Sequence, residues 1–173
     1  MIMNELKTRI RHVPDFPKAG ILFYDVTTLL RDAEGFRIAI DALAKPYENA
    51  GVSLVVGIES RGFILGAAVA DRLGAGFVPV RKVGKLPSKT VKVSYDLEYG
   101  SDSLEMHKDA IEPGQRVLIV DDLLATGGTA RATVDLVKQL GGKVDGVAFL
   151  IELVELKGRD RLAGETIRAI LQY

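Results

Sequence analysis

The chain contains five segments that are predicted to be strands, three of them with a continuous apolar run, and segments with helical spacing separate several of them. The five segments cover residues 54–58, 77–81, 117–120, 144–153 and about 167–171. Unbroken apolar runs are typical of strands that are covered on both faces, and strands that alternate with helices form parallel sheets. The sequence therefore predicts an α/β fold with a central, mostly parallel sheet and helices on both faces.

The remaining segments have other patterns. Helices are predicted over 2–10, 32–49, 62–73 and 127–140, with Asp32 as the cap of the second. Residues 13–20 contain two prolines and a glycine and are expected to be irregular, while 21–26 is extended or a loop. Alternation over 91–98 and 103–107 around a turn at 99–102 predicts a hairpin. The stretch 82–92 is expected to be an exposed loop.

Length and composition exclude several classes of protein. The 173 residues fit one domain, 1–173, and the net charge of zero argues against a general nucleic-acid coat protein. There is no cysteine, which excludes a disulfide scaffold and a Cys-based zinc site. No apolar run approaches the roughly 20 residues that span a bilayer, and the first residues are too polar for a signal peptide. We therefore expect a cytoplasmic protein that does not associate with a membrane.

The stretch 117–129 is the most informative segment. A buried strand is followed by Asp121 and Asp122, and then by a loop of small residues that opens a helix. Glycines let this backbone approach a ligand closely, and a helix N-terminus favours an anion. The predicted phosphate cup consists of Ala125, Thr126, Gly127, Gly128 and Thr129.

The two carboxylates precede the cup by about one sugar length, where they can accept hydrogen bonds from vicinal hydroxyls. The combined pattern predicts a ribose 5-phosphate site that includes Asp121 and Asp122. Two acids before a turn are common on their own, since Asp favours turns and caps. Neither a Walker loop nor a dinucleotide fingerprint occurs in the chain.

Strand, acidic pair and Ala-Thr-Gly-Gly-Thr together resemble the signature of the type I phosphoribosyltransferases. Further segments resemble the adenine-specific members of that family, over nearly the whole chain from about residue 4. These segments are 15–17, 22–25, 59–63, 81–87 and 95–100. The stretch 156–162 also resembles the family, but no chemistry can be derived for it. One departure is Tyr24, where the family usually has Arg.

For the diphosphate of the substrate, the resemblance implies a loop at Glu59, Ser60 and Arg61. Backbone N–H groups there could bind an anion, with Arg61 as a bidentate partner, although a solvated Arg61 on a plain turn is the alternative. The resemblance also implies a cis peptide bond between Glu59 and Ser60. The resemblance further implies that positive charge is brought to the diphosphate by Arg81, Lys82 and Lys85. The alternative is that this run of charges is only a solvated loop.

For the base, the resemblance implies that Phe23 stacks on adenine while backbone groups of Leu22 and Tyr24 bind its edge. A core Phe23 is the alternative. Glu98 would be the general acid/base that takes a ring proton from adenine. From spacing alone, Glu98 is a surface residue near a turn.

The implied reaction converts adenine and 5-phosphoribosyl-1-diphosphate to AMP and pyrophosphate, a step of purine salvage. Asp121 and Asp122 would stabilise the cation-like sugar carbon, with Glu98 as the third catalytic residue. Mg²⁺ is expected, held mainly by the substrate and not by protein side chains alone. A homodimer, a mobile flap at about 82–105 and a small hood are also implied.

Two other functions remain open. The same fold could act on hypoxanthine or xanthine, which a base competition assay would decide. The second alternative is a regulator that senses phosphoribosyl diphosphate and binds nucleic acid. Such a protein should carry a DNA-binding segment or a basic surface, and this sequence shows neither. No nucleic-acid partner is therefore expected, and a gel shift would check this.

Overall fold

A computed structural model describes residues 2–97 and 99–173, without the side chain of residue 2. The helices are α1 (Ile2–Thr8), α2 (Thr27–Leu30), α3 (Ala33–Ala44), α4 (Arg61–Leu73) and α5 (Gly128–Gln139). The strands are β1 (Arg11–Pro14), β2 (Leu22–Asp25), β3 (Leu54–Ile58), β4 (Gly76–Lys82), β5 (Thr90–Asp96), β6 (Ser101–His107), β7 (Arg116–Leu124), β8 (Lys143–Glu152) and β9 (Ile167–Gln172). Short 3-10 helices cover Lys45–Tyr47, Val154–Leu156 and Gly158–Leu162.

The main sheet has seven strands in the order β5-β6-β4-β3-β7-β8-β9. Strands β4, β3, β7, β8 and β9 are parallel to their neighbours in that group, and the β5–β6 hairpin adds to β4 in the antiparallel sense. This arrangement confirms the predicted mostly parallel sheet and the predicted hairpin.

The apolar runs are buried because both faces of the sheet are covered. Val55 and Leu118 pack in one core cluster with residues of α3 and α4. Val56 and Ile119 pack in the other cluster with residues of α5. Alternate residues of each run therefore face different helical layers, as expected for buried parallel strands.

A two-stranded antiparallel sheet, β1–β2, was not predicted from the sequence. Its register pairs Arg11 with Asp25 and Pro14 with Leu22. The expectation of irregular structure from residue 13 onward was therefore wrong for the first two of those residues. Proline is compatible with a strand end, where no ladder hydrogen bond from its nitrogen is needed.

The predicted helix over 32–49 ends earlier than expected. Helix α3 stops at Ala44, and Pro46 lies within the 3-10 turn that follows. Asp32 occupies the N-cap position, but its carboxylate makes no cap hydrogen bond and pairs instead with Arg9. The cap therefore joins α3 to the segment after α1.

Within residues 2–97 and 99–173, no helix is both long and apolar enough to cross a membrane. The description of 1–173 as one domain with a flap at about 82–105, and the presence of a hood, stay predictions.

Candidate active site

A cavity of about 330 Å³ opens at the edge of the sheet where β3 and β7 end. It is lined by residues 21–24, 59–61 and 121–130, together with Phe149 and Leu153. The structure thus brings the predicted ribose 5-phosphate residues, the predicted base segment and residues 59–61 into one site. Arg81, Lys82 and Lys85 do not line this cavity.

The loop after β7 has the geometry of an anion site. Gly127 adopts φ 85°, a left-handed conformation that glycine reaches without a steric penalty, and α5 begins at the next residue. The Arg131 N–H donates to the Gly127 carbonyl at 2.9 Å, which closes the first helical turn. The N–H groups of the preceding residues have no partner within the helix, so they are available to an anion.

Tyr95 borders this loop and was not among the predicted site residues. The hydroxyls of Tyr95 and Thr129 are 3.3 Å apart, and the Tyr95 ring lies against Gly128. Tyr95 belongs to the 95–100 segment that carries part of the family resemblance, but nothing in its spacing indicates this contact. The hairpin therefore contacts the predicted phosphate cup, hereafter the phosphate loop, residues 125–129.

The two aspartates have different surroundings. Asp122 is buried, with 8% of its surface exposed, and its carboxylate is paired with the Arg61 guanidinium. The Asp121 carboxylate accepts a hydrogen bond from the Asp122 backbone N–H at 2.9 Å. A Cβ at Gly62 would lie 2.7 Å from the Asp121 carboxylate, so the glycine allows α4 to begin against the pair.

Burial and the adjacent Asp122 carboxylate raise the pKa of Asp121 well above its ordinary value of 3.8. A positive charge placed beside Asp121 would favour its ionised form. The pair is therefore suited to a ligand that carries or develops positive charge.

The loop after β3 has the cis peptide bond between Glu59 and Ser60 that the sequence analysis expected. The Glu59 carboxylate accepts hydrogen bonds from the Lys82 backbone N–H at 2.6 Å and from Lys85 Nζ at 2.8 Å. Burial opposes ionisation, but these hydrogen bonds lower the pKa of Glu59 below its ordinary value. Glu59 thus ties the loop after β4 to the loop after β3.

The three cations predicted for the diphosphate are all near carboxylates. Lys85 binds Glu59, and Arg81 Nε lies 3.5 Å from the same carboxylate. Lys82 pairs with Asp102 on β6. Contact between these cations and a diphosphate would therefore require exchange of partners.

The predicted base segment, residues 22–24, lines the same cavity as the acidic pair. Phe23 is half-buried, its ring packs edge-on against Phe16 at 5.1 Å, and the Arg61 guanidinium is 6.0 Å from it. Asp25 ends the segment and accepts hydrogen bonds from the Thr27 hydroxyl and N–H at 2.6 and 2.9 Å. These two bonds lower the pKa of Asp25 and hold the turn out of β2.

Glu98, the predicted acid/base, lies outside the described residues. Among the residues that the structure describes, no cluster of three or more His, Cys, Asp or Glu side chains could hold a metal ion.

This edge of the sheet, with an anion loop, an acidic pair and an aromatic base segment, defines a phosphoribosyltransferase site. The family model for the phosphoribosyl transferase domain matches residues 25–165. An adenine phosphoribosyltransferase of Acidobacterium capsulatum is 63% identical over 168 residues, which cover 97% of this chain and 93% of the relative. The chain belongs to the adenine phosphoribosyltransferase family.

Solved structures of the family have the same fold. The enzyme of Rhodothermus marinus is 57% identical with a TM-score of 0.95, covering 99% of this chain and 98% of its own. The enzyme of Saccharomyces cerevisiae, complexed with an imino-altritol bisphosphate and adenine, is 42% identical with a TM-score of 0.93 over 98% of each chain. These likenesses confirm the predicted family and fold class.

Proposed function

We propose that this protein transfers ribose 5-phosphate from 5-phosphoribosyl-1-diphosphate to adenine, giving AMP and pyrophosphate. The observation that carries the proposal is the single cavity in which residues 22–24, 59–61 and 121–129 meet. The curated relatives with this name support adenine as the base. The reaction makes a bond from adenine nitrogen to the anomeric carbon and breaks the bond from that carbon to pyrophosphate.

The phosphate loop would anchor the 5-phosphate. Its free N–H groups and the N-terminus of α5 favour a dianion, and the Thr126 and Thr129 hydroxyls lie in the same lining. This contact is remote from the reacting carbon. Its binding energy can therefore orient the sugar, which raises the rate as well as the affinity.

Asp121 and Asp122 would act on the sugar. They can accept hydrogen bonds from the ribose hydroxyls and stabilise the cation-like carbon electrostatically. The raised pKa of Asp121 supports this role, since developing positive charge offsets the repulsion between the two carboxylates. Arg61 pairs with the Asp122 carboxylate and holds it in place.

Residues 59–61 and the cations Arg81, Lys82 and Lys85 would hold the diphosphate. Mg²⁺ fits this site as a metal bound through substrate oxygens, since it commonly keeps water ligands and uses few carboxylates. When bound, it would neutralise charge on the leaving pyrophosphate. The carboxylates of the acidic pair are the protein groups that could contact it.

Phe23 would stack on adenine while backbone groups of Leu22 and Tyr24 bind its edge. Glu98 would remove the ring proton as the new bond forms.

We also propose a homodimer in the cytoplasm, a hood and a flap at about 82–105. Light scattering would measure the mass of the particle in solution, and a dimer should give twice the 18.7 kDa of one chain.

Competition among bases tests the specificity. Adenine, hypoxanthine and xanthine would be offered together with phosphoribosyl diphosphate and Mg²⁺, and the nucleotide products separated. We expect AMP as the dominant product. Preference for hypoxanthine or xanthine would contradict the proposal, and a gel shift with DNA would reveal the alternative role as a regulator.

A further inference from the structure

The 3-10 segment Gly158–Leu162 packs directly on the phosphate loop, although the sequence indicated no chemistry for it. A Cβ at Gly158 would lie 2.4 Å from the Ala125 carbonyl oxygen. A Cβ at Gly127 would lie 2.4 Å from the Gly158 carbonyl oxygen. The two backbones are therefore in contact with no side chain between them, and each fixes the position of the other.

An ion pair between the exposed Arg159 and the buried Glu152 anchors the same segment to β8. Arg159 donates from Nε and Nη2 to the two carboxylate oxygens of Glu152 at 2.7 and 2.8 Å. Only 5% of the Glu152 side chain is exposed, and Gln172 donates a further hydrogen bond to it at 3.1 Å. The segment after Gly158 is thus held at both the loop and the sheet.

These two anchors direct Arg161 along the phosphate loop. Its Cβ lies 3.3 Å from where a Cβ would stand on Gly127, and its Nη1 lies 3.1 Å from the corresponding point on Gly128. Near the site, Arg61 and Arg131 are each paired with a carboxylate. Within residues 2–97 and 99–173, the guanidinium of Arg161 has no such partner within 4 Å.

We propose that Arg161 is an additional ligand of the substrate's 5-phosphate, a role that rests on the proposed function. Arg161 does not itself line the cavity, but its guanidinium stands beside Gly128, the first residue of α5 and a member of the predicted phosphate cup. Its planar N–H groups match phosphate oxygens, and a charge-assisted hydrogen bond is stronger than one from a neutral donor. Arg161 supplies the full positive charge that the N–H groups of the cup lack.

The test compares Arg161→Met with Arg161→Lys and with Arg37→Met. Arg37 lies on α3 with 64% of its side chain exposed, so its variant controls for loss of one positive charge. Measurements are KM for phosphoribosyl diphosphate and for adenine, and Kd for AMP and for adenosine, which lacks the phosphate. Melting temperatures show whether each variant is folded.

Arg161→Met should raise KM for phosphoribosyl diphosphate and Kd for AMP about threefold to tenfold, since the side chain is exposed and partly screened. Values for adenine and adenosine should stay within about twofold. Arg161→Lys should restore part of the loss, because it returns the positive charge but not the planar set of N–H donors. If Arg161→Met left KM for phosphoribosyl diphosphate and Kd for AMP unchanged, or if the Met and Lys variants raised them equally, the role of Arg161 would be overturned. The proposed function would still stand. Wild-type protein that forms no AMP would overturn the proposed function as well.

Discussion

Asp121 and Asp122 are adjacent in sequence, but the charged groups next to their carboxylates differ. The Asp122 carboxylate has an Arg61 partner, whereas Asp121 is next to a like charge and has a raised pKa. A site with this imbalance binds a cationic sugar carbon better than a neutral one. In the proposed function the pair acts on the sugar, so its effect on the rate should not depend on which base attacks.

Asp122→Asn tests this assignment. It removes the charge next to the sugar and leaves Arg61 without its carboxylate, so kcat should fall about 10²–10³-fold for every base that reacts. The measurement is kcat with adenine and with a slower alternative base. Asp71→Asn, at an exposed position of α4, should keep normal activity. A changed base preference at a normal rate would show that the assignment is wrong.

Glu98→Gln tests the proposed acid/base. The amide keeps the shape of the side chain but cannot accept the proton, so kcat should fall about 10²–10⁴-fold. Affinity for phosphoribosyl diphosphate should hardly change. Near-normal kcat, under conditions where chemistry limits turnover, would make Glu98 a surface residue.

Glu105→Gln is the matched control on β6. Glu105 accepts a hydrogen bond from the Gly84 N–H at 3.2 Å, and an amide oxygen can still accept it. This variant should keep most of the activity. A loss as large as that of Glu98→Gln would indicate damage to the hairpin and not loss of a base.

At the scale of elements, the β5–β6 hairpin lies at one end of the seven-stranded sheet and carries the proposed flap. When the diphosphate binds, Lys82 and Lys85 would leave their carboxylate partners and contact it. Closure of the flap would then exclude water from the sugar. Hydrogen exchange over 82–105 should therefore slow when phosphoribosyl diphosphate and Mg²⁺ bind. No added protection at saturating ligand would contradict a closing flap.

The Glu152–Arg159 pair makes the junction of β8 and the 158–162 segment sensitive to pH. The hydrogen bonds from Arg159 lower the pKa of Glu152 below its ordinary value of 4.5. A carboxyl group with a lowered folded-state pKa stabilises the protein above 4.5, and this stability is lost as the pH falls through the folded-state value.

Glu152→Gln should therefore lower the free energy of unfolding at pH 7 and flatten its decline below about pH 4.5. Urea unfolding of wild type and variant across that range is the measurement. Glu155→Gln, at an exposed position nearby, is the control. Parallel acid limbs for wild type and Glu152→Gln would contradict the assignment.

The elements that could be predicted from sequence are those with a strong local pattern. Runs such as Leu54–Ile58 indicate a buried strand because few other structures tolerate unbroken apolar residues. The β1–β2 ribbon was missed because its pairing joins residues separated by a proline- and glycine-containing turn. No local pattern in either strand indicates its partner.

At the scale of the whole molecule, the sheet brings together residues more than 100 positions apart in the sequence, such as Phe23 and Gly128. The turn from β7 into α5 could be predicted because glycines and threonines occur consecutively after an apolar strand. Tyr95 and Arg161 could not, since their contacts with the loop depend on how separate elements pack. Sequence resemblance supplied Glu98 where physical reasoning alone favoured a surface residue.

In the proposed function, a single cavity joins adenine to ribose 5-phosphate. The most direct test incubates purified protein with adenine, phosphoribosyl diphosphate and Mg²⁺ and measures AMP and pyrophosphate together. We predict that both products form in equal amounts and that formation falls sharply in Asp122→Asn. Pyrophosphate released without AMP, or no product from folded wild-type protein, would contradict the account.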